Sequence, residues 1–447
     1  MQNGAKMTEL FERQQEYVKE RTAAGIETYR KGDAEIYVAD ANGAPIPGAK
    51  IKAVQKTHEF RFGANLFMLD EMETPRKNEL YKRYFADVFN MATLPFYWDA
   101  TEPEEGNTRY DKYSKKMYRR PAIDLCMEFC EQNGIEPREH ALAYEQFFPK
   151  WLYTASVEKI KKAFEKRCEE IATRYADRIR TIEVTNEMEW SRCKTAFYGE
   201  PDYVEWCFKT AEKYFPKNIL GINEHTALSW MDSCMPTDKY YAYIEANLLK
   251  GARIDAIGMQ YHLFNPEEKA YEFTRRTLDP HNLFKHMDLY ANFKKPLQIT
   301  EITVPAYSRN AEDEAIQAEI IGQLYTIWFS HPNASQIIYW NLVDGYAHVW
   351  DPAYIATSQG NMSLGENIYY GGLLRFDMTP KPAYEKIKDL TQRVWHTDAA
   401  ITADDCGCAF FRGFYGSYEL EIVANGKTVK TSFSLSSGKR NRVNVTV

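Results

Sequence analysis

From residue 59 to residue 395 the chain repeats one pattern: a short β-prone run, then a longer charged stretch with apolar residues at helical spacing. The β-prone runs fall at 61–66, 88–92, 136–143, 181–184, 219–222, 256–260, 297–300 and 337–340. Parallel strands need crossover connections of a dozen or more residues, which amphipathic helices ordinarily supply. Eight such units over about 335 residues predict an α/β fold, a (β/α)₈ TIM barrel with long loops after its strands. This constrains function as well as fold, because the C-terminal ends of all eight strands converge on one face.

The flanks follow other rules. Residues 1–30 read as an N-terminal helix, with Leu10, Phe11, Tyr17, Val18 and Ile26 at helical spacing. Within 31–58, the runs 34–38 and 49–54 alternate around Asn42-Gly43, which predicts a β-hairpin with a loop longer than a minimal turn. Within 396–447, runs at 418–423 and 428–435 around Asn425-Gly426 predict a second hairpin, followed by Val443-Asn444-Val445. Neither flank can bury a core alone, so the two are expected to pack together as one small β-rich accessory domain. Phe410, Phe411, Phe414 and Tyr415 offer aromatic surface there, suited to a sugar-binding face or to an interface with the barrel. The interface is the expectation adopted.

Composition excludes several classes of function. The 447 residues are 44% hydrophobic and 27% charged with a net charge of −7, which leaves no basic footprint for nucleic acid. No apolar run reaches the ~18 residues of a membrane span, so no membrane partner is expected. The first 30 residues lack the apolar stretch of a secretory leader. The expected location is therefore cytoplasmic as the sequence stands, or secreted if a leader has been removed. Of the 8 cysteines, Cys126 and Cys130 share a helical stretch, Cys168, Cys193, Cys207 and Cys234 are scattered, and only Cys406-Gly407-Cys408 forms a tight pair. One such pair without partner ligands is poor evidence for zinc, and free thiols are the expectation. With no metal cluster, phosphate-binding glycine loop or nucleotide motif, no cofactor is implied.

Two glutamates stand out against this frame. Glu187 closes Ile182-Glu183-Val184-Thr185-Asn186-Glu187 at the end of the fourth strand, and Glu301 closes Leu297-Gln298-Ile299-Thr300-Glu301 at the end of the seventh. Glycoside hydrolysis needs one carboxylic acid to protonate the leaving oxygen and one carboxylate across the anomeric carbon. A parallel barrel can deliver both to one face. Aromatic residues are also abundant, with 9 Trp, 31 Tyr and 24 Phe, and sugar rings stack on aromatic faces. Asn-Glu is a common dipeptide, and Asn223-Glu224 is a second copy, so the pair alone does not identify an active site.

The order of motifs, however, resembles glycoside hydrolase family 10, the xylanase family of retaining barrel enzymes, over about residues 59–390. Asn186-Glu187 is similar to that family's acid/base strand and Ile299-Thr300-Glu301 to its nucleophile strand. The run Ile254-Asp255-Ala256-Ile257-Gly258-Met259-Gln260-Tyr261-His262 resembles its sixth strand, whose Gln and His contact the nucleophile. His140 matches the first His of the third strand, and Trp340 the Trp beneath the cleaved sugar. Lys381-Pro382-Ala383-Tyr384 sits where the family's last helix begins.

The resemblance implies Glu301 as an ionised nucleophile stabilised by donors from His262 and Gln260, and Glu187 as acid and then base. It implies Asn186 at the sugar 2-OH, Asn223 in a supporting role, and His140 in contact with sugar. Trp350 and Tyr346, on the eighth βα loop, either flank the site or pack that loop; Trp98 is expected to pack and shape the rim.

The sequence departs from the family on the glycone side. Where the family carries Glu-Asn and then Lys, this chain has Thr93-Leu94-Pro95-Phe96-Tyr97-Trp98, and the usual Trp-His after the third strand is Tyr144-Glu145. Glu145 adds a carboxylate that could bond sugar hydroxyls or disfavour acidic decorations. The expected function is therefore a retaining β-glycosidase, by default on β-1,4-xylan or xylo-oligosaccharides. The alternatives are a glycosidase for short oligosaccharides or aryl and plant-metabolite β-glycosides, and a non-catalytic carbohydrate-binding barrel.

Overall fold

The computed structural model describes residues 4–226, 230, 238–351 and 359–447, with Ala5 as backbone only. Cys234 lies outside these residues. Two strands precede the barrel, β1 (Lys31–Ala39) and β2 (Lys50–His58). Eight follow: β3 (Arg61–Asn65), β4 (Met91–Pro95), β5 (Glu136–His140), β6 (Thr181–Asn186), β7 (Ile219–Glu224), β8 (Ala256–His262), β9 (Leu297–Thr303) and β10 (Ala334–Tyr339). These close as a parallel barrel in the order β10-β3-β4-β5-β6-β7-β8-β9, which is the predicted fold.

Local chemistry sets the connecting helices. Pro75–Val88 begins with Pro in its first turn and a Thr74 side chain that accepts from Lys77 N at 3.2 Å; Ser156 caps Val157–Tyr175 in the same way, through Lys159 N at 3.2 Å. Strand alternation then sorts side chains. In β6, Ile182 and Val184 join the apolar layer beneath the helices, while Glu183 meets Arg138 and His140 of β5 and Asn223 of β7. The barrel interior near its mouth is thus polar, and many of its groups pair with one another.

All eight barrel strands differ from expectation by one to three residues at one end or both, and three of these shifts bear on the site. The run at 88–92 is divided, because Phe85 and Val88 belong to the buried face of a helix and the strand begins at Met91. The third strand ends at His140 rather than residue 143, although Leu142 N and Ala143 N still donate to Glu183 O and Val184 O at 2.9 and 3.0 Å. The seventh continues to Thr303, so Glu301 lies within it.

The termini form two further sheets. β12 (Cys408–Phe414), β1 and β15 (Asn441–Thr446) make one; β11 (Asp398–Thr402), β2, β13 (Gly416–Ala424) and β14 (Lys427–Leu435) make the other. The expected hairpin at 31–58 does not form. β1 pairs with β12 and β15, while β2 pairs with β11 and β13. The long connection around Asn42-Gly43 crosses between sheets, with only the isolated bridge Ala39–Pro45. Alternation marks a half-buried strand but does not name its partner. Asn425-Gly426 does form a hairpin: both residues have positive φ, 52° and 73°, and Ala424 pairs with Lys427.

Ile36, Val38, Ile51, Ala53, Phe411, Leu420 and Ile422 fill the space between the sheets. Phe414 instead joins the barrel's apolar cluster, 6.1 Å from Phe329, while Phe410 is 61% exposed. On the N-terminal side, the helix Gln15–Tyr29 lies against the barrel helix Ala311–Ser330, and Arg30 Nη2 donates to Ala334 O at 2.8 Å.

Among the described residues no helix is long and apolar enough to cross a membrane, and no group of three His, Cys, Asp or Glu is arranged to hold a metal ion. The seven described cysteines are free thiols.

Candidate active site

At the C-terminal mouth of the barrel, Glu187 and Glu301 line one cavity of about 170 Å³ with Asn186, Tyr144, His262 and Trp340. Glu187 follows the last residue of β6 and is left-handed, with φ 53°; its N–H donates to Asn223 O at 3.1 Å. A glutamate pays an energetic cost for that conformation, and the cross-strand bond helps hold it. Register links the two carboxyls: Asn186 pairs with Asn223, and Gln260 with Glu301.

Asn223 Nδ2 faces Glu301 Oε1, Asn186 Oδ1 and Glu183 Oε1 at 3.1, 3.0 and 3.3 Å, and its Oδ1 accepts from Thr300 Oγ1 at 2.6 Å. Gly258 makes room for it, since a Cβ there would lie 2.5 Å from Asn223 Oδ1 and 2.9 Å from Ile222 O.

Gln260 departs from expectation. Its Nε2 donates to Glu187 Oε1 at 3.1 Å and to Asn186 Oδ1 at 3.2 Å, so it serves Glu187 rather than Glu301. The amide of Asn186 is left with a buried Nδ2 that has no protein partner. Tyr144 faces two acceptors, Glu187 Oε2 at 2.6 Å and Gln146 Oε1 at 3.0 Å, with a single hydroxyl proton. It can therefore donate to an ionised Glu187, or donate to Gln146 and accept from a protonated one. This suits a carboxyl that must serve as acid and then as base.

The proton at Glu301 follows from a chain of bonds. Thr303 Oγ1 donates to Trp340 O at 2.5 Å, so it accepts from His262 Nδ1 at 2.9 Å. Burial pushes His262 down to about 4, and the neutral ring then has a bare Nε2, 3.3 Å from Glu301 Oε2. Burial also pushes Glu301 up to about 8; Glu187 and Glu183 add to the rise, and His140 and Arg138 oppose it. These opposite shifts favour a neutral His262 whose Nε2 accepts from a protonated Glu301. That is the opposite sense to the expected donation from His262, and it is favoured because burial costs an imidazolium more than the nearby Glu187 returns. Glu183 goes the other way. Although buried, it is held below the usual carboxylate range by Arg138 and His140.

The remaining expected residues divide. Trp340 is 5.0 Å from Phe67 and 5.5 Å from His140, centroid to centroid, and lines the cavity. His140 has both nitrogens engaged by protein, Nδ1 with Glu183 at 2.8 Å and Nε2 with Tyr97 Oη at 3.0 Å. Trp350, 59% exposed, stands at the rim. Tyr346 packs on Phe376 at 5.2 Å, and Trp98 donates to Glu102 at 3.0 Å within an aromatic cluster. Glu145 does not reach the cavity: its two oxygens accept from Arg192 N and Lys194 N, fixing the loop after Glu187. Held by these backbone N–H groups, its carboxylate is directed at the loop and not at the cavity.

Sequence reasoning missed Arg119, Arg120, Phe147, His225, Phe264, His348 and Glu366, all of which line the cavity. They lie on long loops, whose side-chain directions carry no periodic signal. His225 stands 5.9 Å from His262 and near-parallel to it, and Phe264 stacks on His262's ring at 4.6 Å. The loop bearing His348 is anchored by a buried ion pair between Lys381 Nζ and Asp344 Oδ2 at 2.7 Å.

A family model described as Glycosyl hydrolase family 10 matches residues 51–390. Among curated proteins, anti-sigma-I factor RsgI6 of Acetivibrio thermocellus is 24% identical over 90% of this chain and 46% of its own length. Endo-1,4-beta-xylanase 2 of Arabidopsis thaliana is 24% identical over 92% of this chain and 34% of its own. The chain therefore spans less than half the length of these two relatives. Among solved structures, xylanase 10B from Thermotoga petrophila in complex with xylobiose aligns with a TM-score of 0.56 at 20% identity, covering 75% of this chain and 95% of that one. An endo-1,4-beta-xylanase from Caldicellulosiruptor owensensis aligns at 0.55 and 18% identity, over 74% of this chain and 97% of that one.

Proposed function

The chain belongs to glycosyl hydrolase family 10, and on that premise we propose that it cleaves β-glycosidic bonds with retention, through Glu301 as nucleophile and Glu187 as acid and base. The observation that carries this reading is the placement of both carboxyls in one cavity, joined through the Asn186, Asn223 and Gln260 amides.

The pair shares one proton in the reactive state. The shift at Glu301 favours the proton there; attack requires it on Glu187, from which Tyr144 can accept a hydrogen bond while donating to Gln146. Glu301 then bonds to the anomeric carbon as Glu187 protonates the departing oxygen, and water enters as Glu187 takes a proton back. The free Asn186 Nδ2 is available to the sugar 2-OH. Trp340 provides the apolar floor.

The default substrate is β-1,4-xylan or a xylo-oligosaccharide, in keeping with the xylanases it resembles. A glycosidase for shorter or aryl β-glycosides is the alternative, favoured by the apolar replacement at Leu94 to Trp98. A binding-only barrel is the reading from another class, in keeping with the anti-sigma factor among its relatives. The test is hydrolysis of xylan, xylo-oligosaccharides and aryl β-xyloside, β-glucoside and β-cellobioside, with product anomers followed by NMR. Retention with at least one substrate supports the proposal. Inversion, or binding without turnover, overturns it.

A further inference from the structure

The cavity holds two arginines for which the hydrolytic chemistry has no use. Arg119 and Arg120 come from the loop after β4 and are 5% and 8% exposed. Arg119 is tied into the scaffold, donating from Nη1 to Tyr346 O and from Nη2 to Asn341 Oδ1, the latter at 3.1 Å. Arg120 is held differently. Its guanidinium makes one protein hydrogen bond, from Nη1 to the Arg119 carbonyl at 2.8 Å, and among the described residues no carboxylate forms an ion pair with it.

Aromatic faces surround the Arg120 guanidinium instead: it lies 4.2 Å from the centroid of Tyr97, 4.9 Å from Phe147 and 5.4 Å from Phe67. Cation–π contacts recover part of the cost of desolvating a charge, and Asp99, itself raised to about 6 by burial, acts on Arg120 only from beyond ion-pair distance. The neighbouring guanidinium of Arg119 adds to that cost. The effect on the surroundings is visible at His348, which burial and both arginines push down to about 3. Glu366, the other carboxyl lining the cavity, is engaged elsewhere, accepting from His348 N at 3.3 Å with Arg119 as its principal opposing charge.

A desolvated guanidinium that faces a ligand cavity and makes no ion pair among the described residues is matched by a ligand carboxylate. The planar fork accepts two oxygens at once, whereas hydroxyls would fill the donors and leave the charge uncompensated. We propose that Arg120 marks a carboxylate subsite, so that the preferred substrate is an acidic glycan with a uronic acid unit on the Tyr97–Phe147 wall. This rests on the glycosidase reading and names the substrate class of the same site.

The test is calorimetric binding to the full-length Glu301→Gln protein. The ligands are a xylo-oligosaccharide bearing one glucuronic acid unit, the methyl ester of that acid, and the counterpart with the carboxyl reduced to an alcohol. The acid is expected to bind at least about tenfold tighter than either neutral form, with an advantage that shrinks as salt is raised. Adding Arg120→Gln should bring the three ligands within about twofold of one another. Equal binding of acid and ester with Arg120 intact overturns the proposal without relying on the folding of any variant. So does an advantage that survives Arg120→Gln. Turnover of the aryl β-glycosides by wild type separates the two levels: turnover without carboxylate preference removes only the subsite, while no turnover and no oligosaccharide binding removes the hydrolase reading and the subsite with it.

Discussion

In the terminal sandwich, Ile36, Val38, Ile51, Leu420 and Ile422 fill the interior with no polar side-chain atom among them, whereas the barrel mouth, buried as deeply, is filled by Glu183, Asn223, Gln260, His262 and Glu301. Apolar burial contributes stability in proportion to area and asks little of orientation. Buried carboxyls and amides contribute little net stability, and they are tolerated only with their partners in place. The sandwich is thus built to hold together. The mouth is built to hold groups in a state that water would not permit, with Glu301 raised to about 8 and His262 lowered to about 4. Substitutions in the two regions should therefore fail in opposite ways.

The largest effect is expected from Glu301→Ala, which should lower turnover by about 10³-fold or more while leaving the protein folded. Steady-state kinetics with circular dichroism checks this, and a variant that unfolds would erase the contrast. Leu420→Ala should do the reverse, costing about 2–5 kcal/mol of stability in denaturant titration with kcat of the folded protein unchanged.

The contrast sharpens with pH. Glu301 has a folded pKa above its ordinary 4.5, so its contribution to stability is fully present below pH 4.5 and is lost as pH rises through about 8. Glu301→Gln, which cannot ionise, should raise Tm by about 2–4 °C at pH 8.5 and leave it nearly unchanged at pH 4.5. A variant destabilised at both pH values would mean that Glu301 is paid for by its partners after all. The smallest expected effect is that of Tyr144→Phe: loss of the bond to Glu187 Oε2 should slow turnover about 3–10-fold without moving Tm at neutral pH.

How much of this was legible in the sequence differs between the same two regions. The barrel was readable because eight alternations of strand and helix leave few other closures, and the strand ends then bring Glu187, Glu301, Asn223 and His262 to one mouth. Within the sandwich, the Asn425-Gly426 hairpin was readable from turn chemistry, since both residues accept positive φ. The pairing of β1 and β2 was not, because alternation is the same whether a strand turns back or crosses to another sheet. At the site, the cavity-lining residues that were missed lie outside the strands, although Tyr144 and Trp350 were named from sequence and also lie on loops. Arg120 follows a loop of more than twenty residues after β4, and nothing in its sequence neighbourhood says that it turns onto Tyr97. Glu145 was misplaced for a related reason: its number puts it near the mouth, but its carboxylate faces the backbone of the next loop. The direction of the His262–Glu301 bond was beyond sequence reading, because it depends on where Thr303 sends its proton.

The account turns on Glu301 attacking carbon directly. A 2-deoxy-2-fluoro glycoside of the preferred sugar with a good aryl leaving group should react once and stall, because the fluorine slows both formation and hydrolysis of the glycosyl ester while the leaving group restores only its formation. Intact-mass measurement is expected to show a gain of one fluoroglycosyl unit, and peptide mapping to place it as an ester on Glu301. Turnover with no adduct, or an adduct on any other residue, would contradict the assignment.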